Sequence, residues 1–189
     1  MLKYHKYHSP DASVLVSNHA VIAIKPVEIK YACSENTVEL ADESGYYSDL
    51  LQSVIYCKLS YNLKKMGVGI QPCRITNERI SAVDIDEPRF ESRTLCERLG
   101  VDGLVTTQVE LPALLGKNTR SMLNGWWLRC IGTYTFSLVF SVCDGATGRI
   151  VWQVHIEELL SPSRRIRHVI STLKDECKLL PYYKVLLNE

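Results

Sequence analysis

The second half of the sequence carries a long alternation of apolar and polar residues. From 134 to 142 an aromatic or aliphatic side chain occupies every second position, and the pattern returns from 150 to 156. Residues 144–148 (DGATG) separate the two runs and include two glycines. Because successive side chains of a strand point to opposite faces, each run presents one apolar face. The sequence therefore predicts an antiparallel hairpin with one buried face.

Further strands and helices are predicted on both sides of this hairpin. Strand patterns cover 14–27, with extended chain or another strand over 28–40, then 68–73 and 101–111. Apolar residues at helical spacing predict a helix from Ser44 that stops at Gly67, one from Arg89 to Leu99 that stops at Gly100, and one from Ser163 to about Leu180. The order predicts an α/β domain of the α+β type. We expect a mixed sheet of about five strands, including the C-terminal hairpin, packed by two or three helices.

The length of 189 residues fits one domain. Residues 1–12 are polar and aromatic without a period, which predicts a flexible leader before a single domain over 13–189. Residues 112–128 contain Pro112, Gly116 and Gly125, and they predict a loop insertion in that domain. A composition of 46% hydrophobic and 23% charged residues is typical of a folded globular chain.

Charge and cysteine content limit the partners and the compartment. A formal net charge of +1 provides no general attraction to nucleic acid or to an anionic membrane. The seven cysteines form no C-x-x-C pair, so we expect buried thiols rather than a zinc site. Their number favours a reducing compartment or a poorly oxidising envelope. The first ten residues lack the apolar core of a secretory signal, so either the protein is cytosolic or its export signal has been removed.

The sequence contains no pattern that defines a catalytic, cofactor or metal site. No glycine-rich phosphate loop joins a strand to a helix, and no G-x-S-x-G elbow occurs. The five histidines lie in the leader, on a polar strand face, near the first strand or beside arginines. The carboxylates of Asp84, Asp86, Glu87 and Glu91 lack the spacing of a calcium loop and indicate a solvated linker. We therefore expect a protein that is not an enzyme and binds no cofactor or metal.

Two groups of residues are candidates for binding a partner. Trp126 and Trp127 are adjacent aromatic residues in the predicted insertion, where such side chains often anchor an interface. The alternative is that one ring closes over the sheet edge. Arg164, Arg165 and Arg167 place cations at a helix start, which opposes the helix dipole, so they mark either an interface or a solvated helix face. The exposed edge of the sheet is a second predicted contact surface.

Three stretches in order resemble one family pattern. They are VIAIKPV from Val21, LCERLGVDGLVTTQVE over 95–110, and the hairpin over 134–158 with its D-x-x-T-G-x-x-x-W spacing. This set resembles the bacterial envelope lipoproteins related to the curli secretion channel protein and to the N-terminal domain of the Tol propeller protein. Penicillin-binding-protein activator lipoproteins and exopolysaccharide-secretion lipoproteins share that architecture. The hairpin motif has a structural role in turn and core, so it bears on fold more than on activity.

The resemblance implies a non-enzymatic binding or assembly domain of the cell envelope. It would belong to an export, surface-assembly or envelope-regulation system in the periplasm or at the outer membrane. Protein partners and homo-oligomers are expected, with membrane contact only through an N-terminal lipid anchor that this chain does not include. Nucleic acid is not an expected partner. The alternative from the residues alone is a cytosolic small-molecule or nucleotide-binding enzyme domain, which would use Asp84 or Asp86 and the tyrosine-rich helix.

Overall fold

The structure is a computed structural model, and it describes residues 2–32, 38–82, 92–112, 134–160 and 165–182. Within these residues the chain forms seven strands and five helices. They are β1 (Leu2–His8), α1 (Ala12–Ser17), β2 (Val21–Ile24), β3 (Glu28–Ala32), α2 (Val38–Lys65), β4 (Gly69–Ile70), α3 (Cys73–Ser81), α4 (Ser92–Leu99), β5 (Gly103–Pro112), β6 (Tyr134–Asp144), β7 (Ile150–Leu160) and α5 (Arg165–Glu176).

The strands form one mixed sheet in the order β1-β7-β6-β5-β2-β4, and β3 also pairs with β5. β5, β6, β7 and β1 are antiparallel neighbours, while β2 and β3 run parallel to β5 and β4 runs parallel to β2. The predicted α+β class with a C-terminal antiparallel hairpin is confirmed. The sheet has more strands, and more helices pack against it, than the sequence predicted.

Both faces of the sheet carry apolar residues. The larger core packs α2 and α5 over the sheet, and its strand residues include Phe136, Phe140 and Trp152, which are fully buried. A smaller cluster joins Leu95 and Leu99 of α4 to β2, β5 and β6. Neighbouring residues along β5 belong to different clusters, as strand alternation requires: Leu104 contributes to the smaller and Val105 to the larger.

The longest helix, α2, has a buried stripe at four-residue spacing. Leu51, Ile55, Leu59 and Leu63 are fully buried, as the helical pattern predicted. The helix ends where Gly67 adopts a φ of 76°, and the Val68 N–H donates to the Leu63 carbonyl at 3.0 Å. This is the left-handed stop that the glycine predicted. The start of the helix at Val38 lies six residues before the predicted Ser44.

Three short elements differ from the sequence prediction. Leu2–His8 is a strand rather than part of a flexible leader, because its backbone pairs with β7 at the far end of the chain. Residues 12–17, which we expected to begin a strand at Val14, form α1 because Ala12 and Val16 lie one helical turn apart and are both buried. Cys73–Ser81 is a helix within the expected polar linker, and the preceding strand is only Gly69–Ile70. The limits of the domain and of the insertion stay predictions, since 113–133 lie outside the described residues.

Candidate functional site

Most of the residues predicted to bind a partner lie outside the part of the chain that the structure describes. Trp126, Trp127 and Arg164 lie outside the described residues. Arg165 begins α5, but its side chain is not among those described. Arg167 lies exposed on the same helix. The carboxylates at 84, 86, 87 and 91 also lie outside the described residues.

Strand β1 forms one edge of the sheet. It pairs with β7 over seven consecutive residues, from Leu2 opposite Glu158 to His8 opposite Trp152, without a bulge. Among the described strands, none pairs with its other side. Six of its seven residues are exposed, including the large side chains of Leu2 (61%), Tyr4 (43%) and Tyr7 (46%). A long, regular edge of this kind is able to accept another strand.

The hydrogen-bond direction of β1 follows from the residue after it. The Ser9 N–H donates to the Val151 carbonyl at 2.9 Å, and these two residues continue the register of the ladder. In an antiparallel pair, opposed residues alternate between hydrogen-bonded and non-hydrogen-bonded positions. Tyr7, His5 and Lys3 therefore direct their backbone groups toward β7. The N–H and C=O groups of Leu2, Tyr4, Lys6 and His8 point to the open side.

The side chains of β1 anchor it on both faces of the sheet. Lys3 Nζ donates to Oε2 of Glu157 at 2.8 Å on one face, and the Tyr4 hydroxyl donates to Oε2 of Glu176 at 3.1 Å on the other. Burial and the neighbouring Glu176 carboxylate raise the pKa of Tyr4 to about 12. Burial also raises the pKa of Glu176 above its usual range, although the Tyr4 hydrogen bond opposes this. The strand is thus held in place, while its outer backbone groups stay accessible.

A second group of polar side chains lies between the start of β2, the β6–β7 turn and the chain after α5, and most of it is closed to solvent. His19, before β2, places Nε2 3.1 Å from Oδ1 of Asp144 and Nδ1 2.8 Å from the hydroxyl of Tyr182. Oδ2 of Asp144 accepts the backbone N–H and the hydroxyl of Thr147, at 2.8 and 2.5 Å. A Cβ at position 103 would lie 2.6 Å from His19 Nδ1, so only Gly103 lets the ring approach β5. We call His19, Asp144 and Tyr182 the buried cluster; Thr147 is exposed and bonds Asp144 from the hairpin turn.

The hydrogen-bond partners in the buried cluster indicate which ring nitrogen of His19 carries a hydrogen. Burial alone would raise the pKa of Asp144, but hydrogen bonds from Thr147 and His19 hold it below its usual range. The ionised carboxylate accepts only, so Nε2 of His19 carries a hydrogen. In the neutral ring Nδ1 then accepts from the Tyr182 hydroxyl, whose pKa is strongly raised by burial and by Asp144. Each polar atom has a partner, which is what a buried polar group needs for stability.

The buried cluster contains the residue types of a catalytic relay, but its side chains are not accessible to a substrate. His19, Asp144 and Tyr182 are 4%, 3% and 2% exposed, so no substrate reaches them in this conformation. Its contacts join the start of β2, the hairpin turn and the chain after α5. The D-x-x-T-G hairpin motif therefore works in the turn and the core, as the sequence predicted. The arrangement ties these three parts of the chain together.

The buried cysteines also offer little reactivity. Cys96, Cys143 and Cys177 are buried, as predicted, whereas Cys57 is exposed and Cys73 is half-buried. Burial is the main cause that raises the pKa of Cys96 and of Cys177 to about 12. Protonated thiols are poor nucleophiles. Within the described residues, three or more His, Cys, Asp or Glu side chains nowhere gather as a metal site would require. In that same part of the chain, no helix combines the length and the apolar content of a membrane span.

Sequence reasoning missed both β1 and the buried cluster. His19 has its partners 125 and 163 positions away, so no local spacing connects them. The signal that was present is the D-x-x-T-G turn. Within the turn Thr147 bonds one carboxylate oxygen of Asp144, and the other oxygen needs a partner from elsewhere in the chain. For β1 the signal was the repeated tyrosine in LKYHKYH, because tyrosine favours strands.

Comparison with known proteins gives a likeness of fold. No family model matches the chain, and no curated protein matches it. Among solved structures it is similar to the PelC dodecamer from Paraburkholderia phytofirmans, at 12% identity over 96% of this chain and 97% of that one, with a TM-score of 0.43. It is also similar to lipoprotein GNA1162 from Neisseria meningitidis, at 11% identity over 83% and 95%, with a TM-score of 0.44. The C-terminal domain of LpoB from Escherichia coli gives 12% identity over 79% and 93%, with a TM-score of 0.38.

The likeness to these structures concerns the fold alone. With identities of 11–12% and TM-scores of 0.38–0.44, they assign this chain neither a ligand nor a partner. Any function has to be argued from its own residues.

Proposed function

We propose that this chain is a non-enzymatic binding and assembly domain of the bacterial cell envelope, and that a protein partner docks on the edge strand β1. The observation that carries the proposal is the open edge itself: seven residues in regular pairing, mostly exposed, with outward N–H and C=O groups on every second residue. Addition of an extended segment to such an edge is a common mode of protein recognition.

The side chains of β1 favour a specific contact over nonspecific aggregation. Lysines on an edge strand discourage indiscriminate pairing, and β1 carries Lys3 and Lys6. Tyrosines combine a large apolar ring with a polar end and are enriched at binding hot spots, and β1 carries Tyr4 and Tyr7. The strand is therefore polar enough to stay exposed and still offers anchors for a partner.

The envelope location is proposed on the sequence resemblance, which rests mainly on the D-x-x-T-G-x-x-x-W hairpin. Under this proposal the protein works in the periplasm or at the outer membrane, held there by a lipid anchor, in export, surface assembly or envelope regulation. Trp126 and Trp127, with Arg164, Arg165 and Arg167, remain proposed as further partner contacts. The non-enzymatic role is supported by the closure of the buried cluster, the described group that most resembles catalytic machinery.

The test compares two substitutions at one outward-facing residue of β1. Lys6→Pro removes an outward N–H without removing a bond to β7, whereas Lys6→Ala shortens the same side chain and keeps the N–H. Each variant replaces the wild-type protein in its source cells, and the native size of the protein is measured in envelope and cytosolic fractions. We expect wild type and Lys6→Ala in a large complex of the envelope fraction, and Lys6→Pro in the same fraction at the size of the free chain.

Two results would contradict the proposal. A protein found only in the cytosolic fraction would remove the envelope role. A Lys6→Pro variant that stays in a complex of wild-type size would show that the partner docks elsewhere than on β1.

A further inference from the structure

We infer that the strand added to β1 is β1 of a second copy of this chain, in an antiparallel register centred on His5, so that two sheets join into one. This inference rests on the proposed function, because it names the partner of the same edge. It follows from the hydrogen-bond direction of β1, from its sequence and from the side chains that it leaves exposed.

The backbone restricts the registers in which two copies can pair. Outward N–H and C=O groups belong to the even-numbered residues of β1, so an even residue must face an even residue of the other copy to exchange both hydrogen bonds. Antiparallel registers with a two-fold axis at any residue of the strand meet this condition. Only an axis at His5, the middle residue of Leu2–His8, pairs the whole strand with itself.

The side chains select the same register. With the axis at His5, the opposed pairs are Leu2 with His8, Lys3 with Tyr7, Tyr4 with Lys6, and His5 with its own counterpart. Every lysine then faces a tyrosine, which is a favourable cation–π neighbour. Within one chain Lys6 already makes such a contact, since its Nζ lies 5.7 Å from the centre of the Trp152 ring.

The neighbouring registers are worse. An axis at Lys6 opposes two Lys6 ammonium groups and leaves part of the strand unpaired. An axis at Tyr4 opposes each lysine with a residue other than tyrosine and leaves Tyr7 and His8 without partners. Like charges placed directly opposite each other destabilise a strand pair. The shift by one residue in either direction therefore loses both overlap and complementarity.

Self-pairing also accounts for the composition of the edge. β1 contains two lysines and two histidines but no carboxylate, so a copy of itself gains from its tyrosines rather than from ion pairs. Pairing would cover Leu2, Tyr4 and Tyr7, which are the large apolar side chains that β1 exposes. A two-fold contact in which the same patch meets itself is the commonest form of assembly. An interface of one strand pair is small, so the dimer is expected to be weak and concentration-dependent.

The first experiment measures the mass of the purified full chain against concentration, by analytical ultracentrifugation from about 1 to 500 μM, a range suited to weak dimers. We expect the wild-type mass to rise from 21.5 kDa toward twice that value. Lys6→Pro should stay at the monomer mass, and Lys6→Ala should dimerise at least tenfold more tightly than Lys6→Pro. Circular dichroism of each variant at the same concentrations checks that the fold is retained.

The second experiment tests the register by disulfide trapping with a mild oxidant. The variants carry one new cysteine each in a Cys57→Ser background, because Cys57 is exposed. His5→Cys should form a covalent dimer, since the residue at the axis faces itself at a non-hydrogen-bonded position, where Cβ atoms approach most closely. Lys3→Cys and Tyr7→Cys should cross-link with each other when mixed, and each alone should match the background without the new cysteine.

The outcomes separate this inference from the proposed function. A wild-type chain that stays monomeric at every concentration, while Lys6→Pro still releases the complex in cells, overturns self-pairing and shows that a different protein supplies the strand. Cross-linking of Lys3→Cys alone, equal to that of the mixture, overturns the His5 register. If Lys6→Pro changes neither the dimer nor the complex in cells, both the inference and the proposed function fail.

Discussion

The buried cluster and the edge strand β1 use the same kinds of side chain in opposite ways. At the buried cluster, His19 and Tyr182 are closed to solvent, and their polar atoms are bonded to each other and to Asp144. At β1, His5 and Tyr7 are exposed, and the backbone between them presents N–H and C=O groups to solvent. The polar atoms of the first have protein partners, whereas the outward backbone groups of the second are open to water or to another strand.

This contrast separates what stabilises the fold from what is available for binding. Buried hydrogen bonds gain stability because an unmatched polar group is costly in the interior. The same groups on an edge have water as an alternative partner, so leaving them open costs little and keeps them ready for another chain. Substitutions in the buried cluster should therefore act on folding, and substitutions on the outer side of β1 should act on association.

The largest effect on stability is expected from Asp144→Ala. Removing the carboxylate leaves the His19 ring without an acceptor in the interior and removes the Thr147 bonds of the turn, and we expect a loss of about 3 kcal/mol in the free energy of unfolding. Urea denaturation measures it. Asp175→Ala is the matched control, because Asp175 is exposed and its carboxylate bonds Lys178 at the surface, so its midpoint should equal that of wild type. Equal midpoints for the two variants would contradict a structural role for the cluster.

Proline substitution at two adjacent residues of β1 sharpens the distinction between its two sides. His5→Pro removes an N–H that points to β7, whereas Lys6→Pro removes one that points outward. We expect His5→Pro to be less stable than Lys6→Pro by about 1–3 kcal/mol, the cost of a lost ladder bond and a stranded acceptor. Thermal and urea unfolding of the two variants compare them directly. The reverse order would show that the assigned direction of the β1 backbone is wrong.

Tyr182→Phe is a smaller change in the buried cluster. It deletes the hydroxyl that lies 2.8 Å from His19 Nδ1 and leaves the ring volume in place. The expected loss is about 1–2 kcal/mol, the cost of one unmatched buried group. Tyr61→Phe, on an exposed residue of α2, should change nothing. A Tyr182→Phe midpoint indistinguishable from that of Tyr61→Phe would mean that the hydroxyl contributes no stability.

The pH dependence of stability tests the buried cluster through the smallest expected effect. The folded state lowers the pKa of Asp144, so the ionised carboxylate contributes stability above its ordinary pKa, and that contribution is lost as the pH falls through the folded value. Unfolding of wild type and Asp144→Asn should therefore differ most at neutral pH and converge below about pH 4. A difference that stays constant from pH 7 to pH 3 would contradict this sign.

Sequence reasoning found the elements whose signal is local. The β6–β7 hairpin and the buried stripe of α2 follow from alternation and from helical spacing, and both were predicted. It failed at α1, where Val14 and Val16 suggested a strand but a single helical turn buries Ala12 and Val16 together. It failed at α3 because that helix buries only Thr76 and so lacks an apolar stripe.

The sites were harder to predict than the fold for the same reason. β1 became a strand through pairing with residues about 150 positions away, and no feature of LKYHKYH alone requires that partner. The buried cluster joins three parts of the chain that only the complete sheet brings together. The tryptophan pair was conspicuous in the sequence, but its position relative to β1 depends on residues beyond those the structure describes.

Amide hydrogen exchange along β1, resolved by residue with NMR, tests the central claim most directly. In a dilute sample the amides of His5 and Tyr7 should be protected by β7, and those of Tyr4 and Lys6 should exchange freely. On assembly, Tyr4 and Lys6 should gain protection while His5 and Tyr7 change little. Tyr4 and Lys6 amides that exchange as fast in the assembled protein as in the dilute one would contradict the account, because the open side of β1 would then not be where a partner binds.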